Sequence, residues 1–201
     1  VGLPLLVSLS KYFDCIGYDV DKKKISKLKK KIDDTKTFQK KDLNKTKFTS
    51  NLKDIKNYNH YIVTVPTPVG KNNNPDLSYL KDACIKISKI IKKDDMIIFE
   101  STYAPFTTKK TCITIINKNS KIKNNDFQYG YSPERINPGD KSKDLKKLTK
   151  IISSETEIGI KKMKDIYTKI CKKIYIVDKI EIAEAAKIIE NIQRDVNIAL
   201  M

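Results

Sequence analysis

The sequence predicts an α/β protein built on a doubly wound parallel sheet. Short strand-like runs at residues 60–65, 96–99 and 127–131 alternate with longer stretches of helical periodicity, the pattern of repeated βαβ units. The run at 60–65 is nearly continuous in apolar and β-branched residues, as strands covered on both faces are. The runs end in proline or small polar residues, and the carboxyl ends of strands are where open α/β sheets bind ligands.

Taken in order, Val1-Gly2-Leu3-Pro4 leads into a helical pattern of Leu5, Leu6, Leu9, Tyr12 and Phe13, followed by a strand over Cys15–Asp21. Helix, strand, then acidic residue is the second half of a dinucleotide-binding βαβ unit, in which the acid lies about twenty residues past the glycine fingerprint and holds the ribose hydroxyls. Gly2 fits the last glycine of a G-x-G-x-x-G whose first two glycines, with the first strand, are expected ahead of residue 1. Asp19 fits the ribose acid, although an Asp here could equally cap the helix expected over Lys22–Ile32. After a polar connector, the strand His60–Val65 stops at Pro66-Thr67-Pro68, which lacks ladder donors.

A loop at 72–75 then precedes a helix opened by Asp76, with Leu77, Leu80, Cys84, Ile87 and Ile91 on one stripe. The strand Met96–Phe99 ends in Glu100-Ser101-Thr102. A helix over 107–117, a Lys/Asn-rich loop to 126 and a strand over 127–131 follow. Beyond them come a short strand at 150–153, an amphipathic helix over 157–171, a strand at 174–177 and a long helix from Ile180 to Met201. That helix carries an apolar stripe (Ile182, Ala186, Ile189, Val196, Ala199) and a polar one (Glu184, Lys187, Asn191, Arg194, Asp195). Lys187 and Asn191, four apart, share a face. On spacing alone, the polar stripe reads as the solvated side of an amphipathic helix. The domain expectation is a dinucleotide-binding domain over 1–178 and the start of a central helical element over 179–201.

The 201 residues suffice for a real core, and the formal charge is +17. A nucleic-acid binder is the rival that such a charge raises. It is disfavoured because lysines run along every helix and loop rather than interleaving with aromatics on one face. The four cysteines, Cys15, Cys84, Cys112 and Cys171, show no Cys-x-x-Cys spacing, and with the single histidine they form no zinc set. Each sits in an apolar stripe, as a free thiol in a reducing compartment does. No apolar run is long enough to span a bilayer. The expected location is the cytoplasm.

The segment Tyr129–Asp140 begins as a buried strand and turns into a loop punctuated by Pro133, Pro138 and Gly139, carrying Glu134, Arg135 and Asn137. The only arginines in the chain are Arg135 and Arg194. The loop is either a ligand site at a strand end or a turn with solvated charges.

Taken together, Val1-Gly2-Leu3-Pro4, Gly17-Tyr18-Asp19-Val20-Asp21, Thr64-Val65-Pro66-Thr67-Pro68, Glu100-Ser101-Thr102, residues 132–140 and residues 184–191 resemble, in order, the UDP-glucose and GDP-mannose dehydrogenase family. The resemblance implies a Rossmann-type NAD-binding domain in an enzyme that oxidises C6 of a sugar nucleotide to a carboxylate, with two successive hydride transfers by way of a thioester. It implies that Gly2 lies at the cofactor phosphates and Asp19 at the ribose with Lys24 beside it. Thr64, Pro66, Thr67 and Ser101 then fall along the cofactor, and Thr102 near the nicotinamide and the catalytic water. Glu134 becomes the water-activating glutamate, and Lys187 and Asn191 the pair that stabilises the alkoxide and the later oxyanion. Arg135, Asn137 and Arg194 are expected at the substrate. The central helix implies a homodimer.

The family's nucleophilic cysteine lies in a glycine-rich segment beyond that helix. None of the four cysteines here has that context, so these residues alone are expected not to turn over. Where the family commonly reads Val-x-Pro-Gly-Thr-Thr, this chain has Tyr103-Ala104-Pro105-Phe106-Thr107-Thr108. Phenylalanine for glycine puts strain on any left-handed backbone there. Ser132-Pro133-Glu134-Arg135-Ile136-Asn137-Pro138 is similar to the branch acting on UDP-N-acetylhexosamines in surface-polysaccharide synthesis, with UDP-N-acetylglucosamine or UDP-N-acetylgalactosamine favoured. The alternative is a catalytically inactive remnant that still binds the nucleotide.

Overall fold

A computed structural model describes residues 2–70, 73–122, 126–134 and 149–201. The expected alternation is present. Helix α1 (Gly2–Leu9) leads to β1 (Ile16–Tyr18), α2 (Lys22–Lys29) and β2 (Lys47–Thr49). These are followed by β3 (His60–Val63), α3 (Ser78–Ser88) and β4 (Met96–Phe99). A π-helical segment, Thr108–Ile113, runs directly into α4 (Thr114–Asn119). The chain continues with β5 (Gln128–Tyr131), β6 (Thr149–Ser154), α5 (Glu157–Tyr167), β7 (Lys173–Ile176) and α6 (Ile180–Ala199).

The strands form two groups, a parallel pair β1-β2 and a five-stranded sheet in the order β3-β4-β5-β6-β7. Strand β2 falls within what the sequence presents as a polar connector. It is three residues long, and only Phe48 in it is apolar, too short a run to register as a strand. The pairs β3-β4, β4-β5 and β6-β7 are parallel, whereas β5 and β6 run antiparallel, with Gly130 opposite Ser154 and Tyr131 opposite Ser153. The sheet is thus parallel-dominated, as expected, with one antiparallel step between β5 and β6. A parallel neighbour needs a crossover, usually helical, and an antiparallel one does not.

Three layers result. On one face of the sheet, Ile97, Phe99 and Tyr131 pack against Leu80, Cys84 and Ile87 of α3, Cys112 and Ile116, and Ile180 and Ala183 of α6. On the other, Met96, Ile98 and Ile152 pack against Leu5 and Leu9 of α1 and Met163, Ile166 and Tyr167 of α5. Successive residues of β4 thus enter opposite cores, which explains why all four are apolar and buried. A smaller cluster of Val7, Ile25, Leu28, Leu43 and Phe48 joins α1 and α2 to the β1-β2 pair.

The helix faces of α6 differ from the sequence expectation. Its first turn is buried at Ile180, Ala183 and Glu184, while the apolar stripe faces outward, with Ile182, Ile189 and Val196 exposed. The reason lies in the polar residues: Glu184 and Lys187 find partners on the domain, described below, and this fixes the rotation of the helix. Lys109 also binds Glu181 at 2.8 Å and Glu155 at 3.0 Å, tying the start of α6 to the π-helical segment.

Gly130 lies where the central strand meets its antiparallel neighbour. A Cβ there would fall 2.5 Å from both the Met163 Sδ and the Ser153 carbonyl oxygen. Gly130→Ala is therefore expected to destabilise the domain by about 1–3 kcal/mol through forced overpacking, measurable as a lower midpoint in denaturant unfolding.

Candidate active site

The carboxyl ends of β3, β4 and β5 bring the sequence-expected residues into one region. After β3 the chain runs extended through Thr64 to Pro68, and its carbonyls and hydroxyls bind the segment after β4. Ser101 Oγ donates to the Val65 carbonyl at 2.7 Å and Thr67 Oγ1 to the Thr102 carbonyl at 2.5 Å. Tyr131 at the end of β5 donates to the Ser101 carbonyl at 3.1 Å. Thr64, Thr67, Ser101 and Thr102 thus line two adjacent strand ends, whereas Pro66 is exposed.

Helix α1 starts against the same region. A Cβ on Gly2 would lie 2.7 Å from Thr64 Oγ1, so a larger residue here would displace the Thr64 hydroxyl from where the helix meets the strand end. The first turn of α1 holds no acidic side chain, leaving its N–H groups and positive pole available to an anion. At the end of β1, Asp21 rather than Asp19 caps α2, accepting from the Lys23 and Lys24 amides at 2.8 and 3.0 Å. The capping reading of Asp19 is therefore not realised. Its carboxylate is not the cap; it accepts the Asp21 amide at 3.0 Å and the Lys24 ammonium at 2.6 Å. The close glycine, the amino end of α1 and an acid freed from capping fit a bound dinucleotide.

The polar stripe of α6 supplies the opposite wall. The Lys187 ammonium donates to the Glu134 backbone carbonyl at 2.8 Å. The Glu134 Oε1 is buried and accepts no hydrogen bond among the described residues. Burial raises the Glu134 pKa above the usual carboxylate range; the nearby Glu100 adds to the rise, and Lys187 and Lys150 oppose it. A carboxyl group with elevated proton affinity and an unoccupied oxygen suits a general base. Asn191 lies one turn further along α6, where its side-chain oxygen accepts from Arg194. Arg194 itself is exposed. Arg135 and Asn137 lie outside the described residues.

Two residues central to this arrangement were not singled out from sequence as site residues. Glu184, counted among the solvated stripe, is fully buried and accepts from the Phe106 amide at 2.6 Å, the Thr108 amide at 2.9 Å and the Thr108 hydroxyl at 2.6 Å. Phe106 does adopt the left-handed backbone that a glycine would favour, with φ 72. The Glu184 carboxylate and the Lys110 ammonium, 5.0 Å from the ring centroid, hold it there. Lys150 is also buried, and its partners are described below. The available signal for Glu184 was its place between Ala183 and Ala185, and Lys150 carried none.

None of the four thiols joins the site. Cys84 and Cys112 pack in one core, Cys171 in the other, and Cys15 against that second core. Burial pushes Cys171 to about 11 and also raises Cys15, while a hydrogen bond with Cys84 and burial raise Cys112. Little thiolate is available at these three. No helix among the described residues is long and apolar enough to cross a membrane.

Residues 1–171 match the family model of the UDP-glucose/GDP-mannose dehydrogenase family, NAD binding domain. The chain belongs to this family. It is 41% identical, over its whole length, to UDP-N-acetyl-D-glucosamine 6-dehydrogenase of Salmonella typhi, covering 48% of that protein. It is 40% identical to Protein CapL of Staphylococcus aureus, again over its whole length and 48% of the relative. The structure of UDP-D-ManNAc dehydrogenase from Pyrococcus horikoshii superposes with TM-score 0.91 at 30% identity, over all of this chain and 50% of that one. The chain thus spans about half the length of these relatives. Its cofactor is NAD, as the family domain defines.

Two outcomes are expected. Phe106→Gly removes a left-handed non-glycine residue that costs about 1–2 kcal/mol, so unfolding should show stability unchanged or higher; a marked fall would mean that the ring contacts outweigh the strain. For Glu134 the folded pKa lies above the unfolded one, so its charge weakens the fold at neutral pH and the penalty vanishes as pH falls below about 4.3. Glu134→Gln should therefore be more stable than the parent at pH 7.5 and equal to it near pH 4 in urea unfolding.

Proposed function

We propose that this chain is the cofactor-binding half of an NAD-dependent dehydrogenase that oxidises C6 of a UDP-N-acetylhexosamine to the uronic acid, in the synthesis of surface-polysaccharide precursors. The observation that carries the reading is the meeting of Glu134, whose buried Oε1 accepts no hydrogen bond among the described residues, and Lys187 at strand ends that α1 and Gly2 approach closely. The family relationship and the names of the dehydrogenase relatives support the substrate class. Within it, UDP-N-acetylglucosamine or UDP-N-acetylgalactosamine is the favoured substrate.

NAD, when bound, accepts the hydride. The first turn of α1 at Gly2 would hold its phosphates and Asp19, with Lys24, its ribose. Thr64, Pro66, Thr67 and Ser101 would line the remainder and Thr102 the reacting end. Loss of hydride from an alcohol requires the oxygen's proton to leave and the developing anion to be stabilised by donors already in place. Lys187 and the Asn191 amide supply such donors from one face of α6. The acid-forming stage requires water to be deprotonated as it attacks, a task suited to Glu134. Arg194 would act at the substrate by orienting Asn191, whose oxygen it holds. Arg135 and Asn137 complete the proposed substrate contacts.

Residues 1–178 are assigned to the cofactor domain and 179–201 to the start of a central helix that pairs two subunits. The outward apolar side of α6 supports that pairing. The acid-forming nucleophile is assigned to a cysteine outside these residues, so the chain alone would bind NAD without turnover.

The deciding experiment is Lys187→Ala in the full-length protein. It is expected to lower kcat about 10²–10³-fold, in the range seen when one oxyanion donor is removed, with KM changed less than about threefold. An unchanged kcat would make Lys187 a helix surface residue. NAD affinity without turnover in the full-length protein would favour the inactive-remnant reading.

A further inference from the structure

Against the backbone of Pro133 and Glu134 lies an ion pair sealed from solvent. Lys150 Nζ is 2.8 Å from Glu100 Oε2, and the two side chains are only 5% and 1% exposed. The same ammonium donates to the Pro133 carbonyl at 3.3 Å and lies 5.1 Å from the Tyr167 ring centroid. The Tyr167 hydroxyl donates to the other Glu100 oxygen. Both carboxylate oxygens are thus engaged, and the ammonium faces an acid, a carbonyl and a ring.

A buried pair of this kind is a poor way to gain stability. Desolvating two ions costs several kcal/mol each, and an apolar replacement of similar volume is often as stable. Its position offers a better account. Glu100 directly precedes Ser101 and Thr102. Lys150 grips the residue before Glu134, while Lys187 grips the carbonyl of Glu134 itself. Ser132 is fixed on the other side, its amide donating to the Phe99 carbonyl at 2.9 Å and its hydroxyl to the Ile151 carbonyl at 2.6 Å. The segment 132–134 is therefore held at every residue, and the hold at Pro133 is the side chain of Lys150.

We infer that Lys150, itself held by Glu100 and Tyr167, is a positioning residue that fixes the Pro133 carbonyl and thereby presents the Glu134 carboxylate to the water it is to activate. Lys150 touches no reacting atom in this account; it acts through Glu134. The inference rests on the role proposed above for Glu134.

The test uses the full-length protein and separates position from stability. Lys150→Met leaves Glu100 buried and uncompensated, and is expected to reduce both stability and kcat. Adding Glu100→Gln removes the uncompensated charge, so the double variant should recover thermal stability. It lacks the grip on Pro133, so kcat should stay about 10-fold or more below the parent, with KM for NAD and sugar nucleotide within about threefold. Lys150→Arg, which keeps a donor, should retain more activity than Lys150→Met. A double variant that regains kcat together with stability overturns the inference and leaves Lys150 a purely structural ion. Glu134→Gln in the same protein distinguishes the two readings. If that variant keeps full turnover, the role of Glu134 fails; if it is inactive while the double variant is fully active, only the role of Lys150 fails.

Discussion

The Glu184 carboxylate, buried with three donors around it, is the interaction on which the rest of the site depends. Burial raises its pKa while the bonds from Thr108 and Phe106 oppose the rise, and without those donors a carboxylate there would be prohibitive. The bonds fix two things at once. They order the turn that follows Thr102, including the left-handed Phe106, and they set the rotation of α6 about its axis. Lys187 lies three residues further on, on nearly the same face of the helix, so the anchor at Glu184 determines that the ammonium reaches Glu134. One carboxylate thereby couples the position of the cofactor-side loop to that of the proposed oxyanion donor.

The layered order of strands and helices was legible because its signals are local. Met96–Phe99 is apolar throughout and emerges as an inner strand of the sheet, buried on both faces. The strand ends at Thr64, Ser101–Thr102 and Glu134 were marked by proline and small polar residues, and these positions do converge. What was not legible depended on tertiary partners. Nothing in the sequence of β6 states that it pairs antiparallel with β5, since direction is set by the path of the connection and not by side-chain pattern. Strand β2 owes its existence to a parallel partner in β1, not to its own composition.

The same distinction explains the charged residues. Solvent-exposed positions in this chain are filled with lysine so consistently that one more lysine, at 150, carries no visible mark of being buried. Amphipathic reasoning failed for α6 in an instructive way. It assumes that polar side chains face water, whereas Glu184 and Lys187 face specific acceptors and donors on the domain, and the isoleucines are turned outward. A hydrogen-bonded polar contact outweighed the apolar stripe because its burial is matched group for group.

The reversal of β6 also affects the electrical polarity of the site. A helix that follows an antiparallel strand runs the opposite way from its neighbours, so α5 brings its carboxyl end, at Tyr167, to the side of the sheet where α1 presents its amino end. The macrodipole makes these poles roughly −0.5 and +0.5 of an elementary charge respectively. The ligand face is therefore a graded field rather than a uniformly attractive one. It favours phosphates at the amino end of α1 over the α5 side.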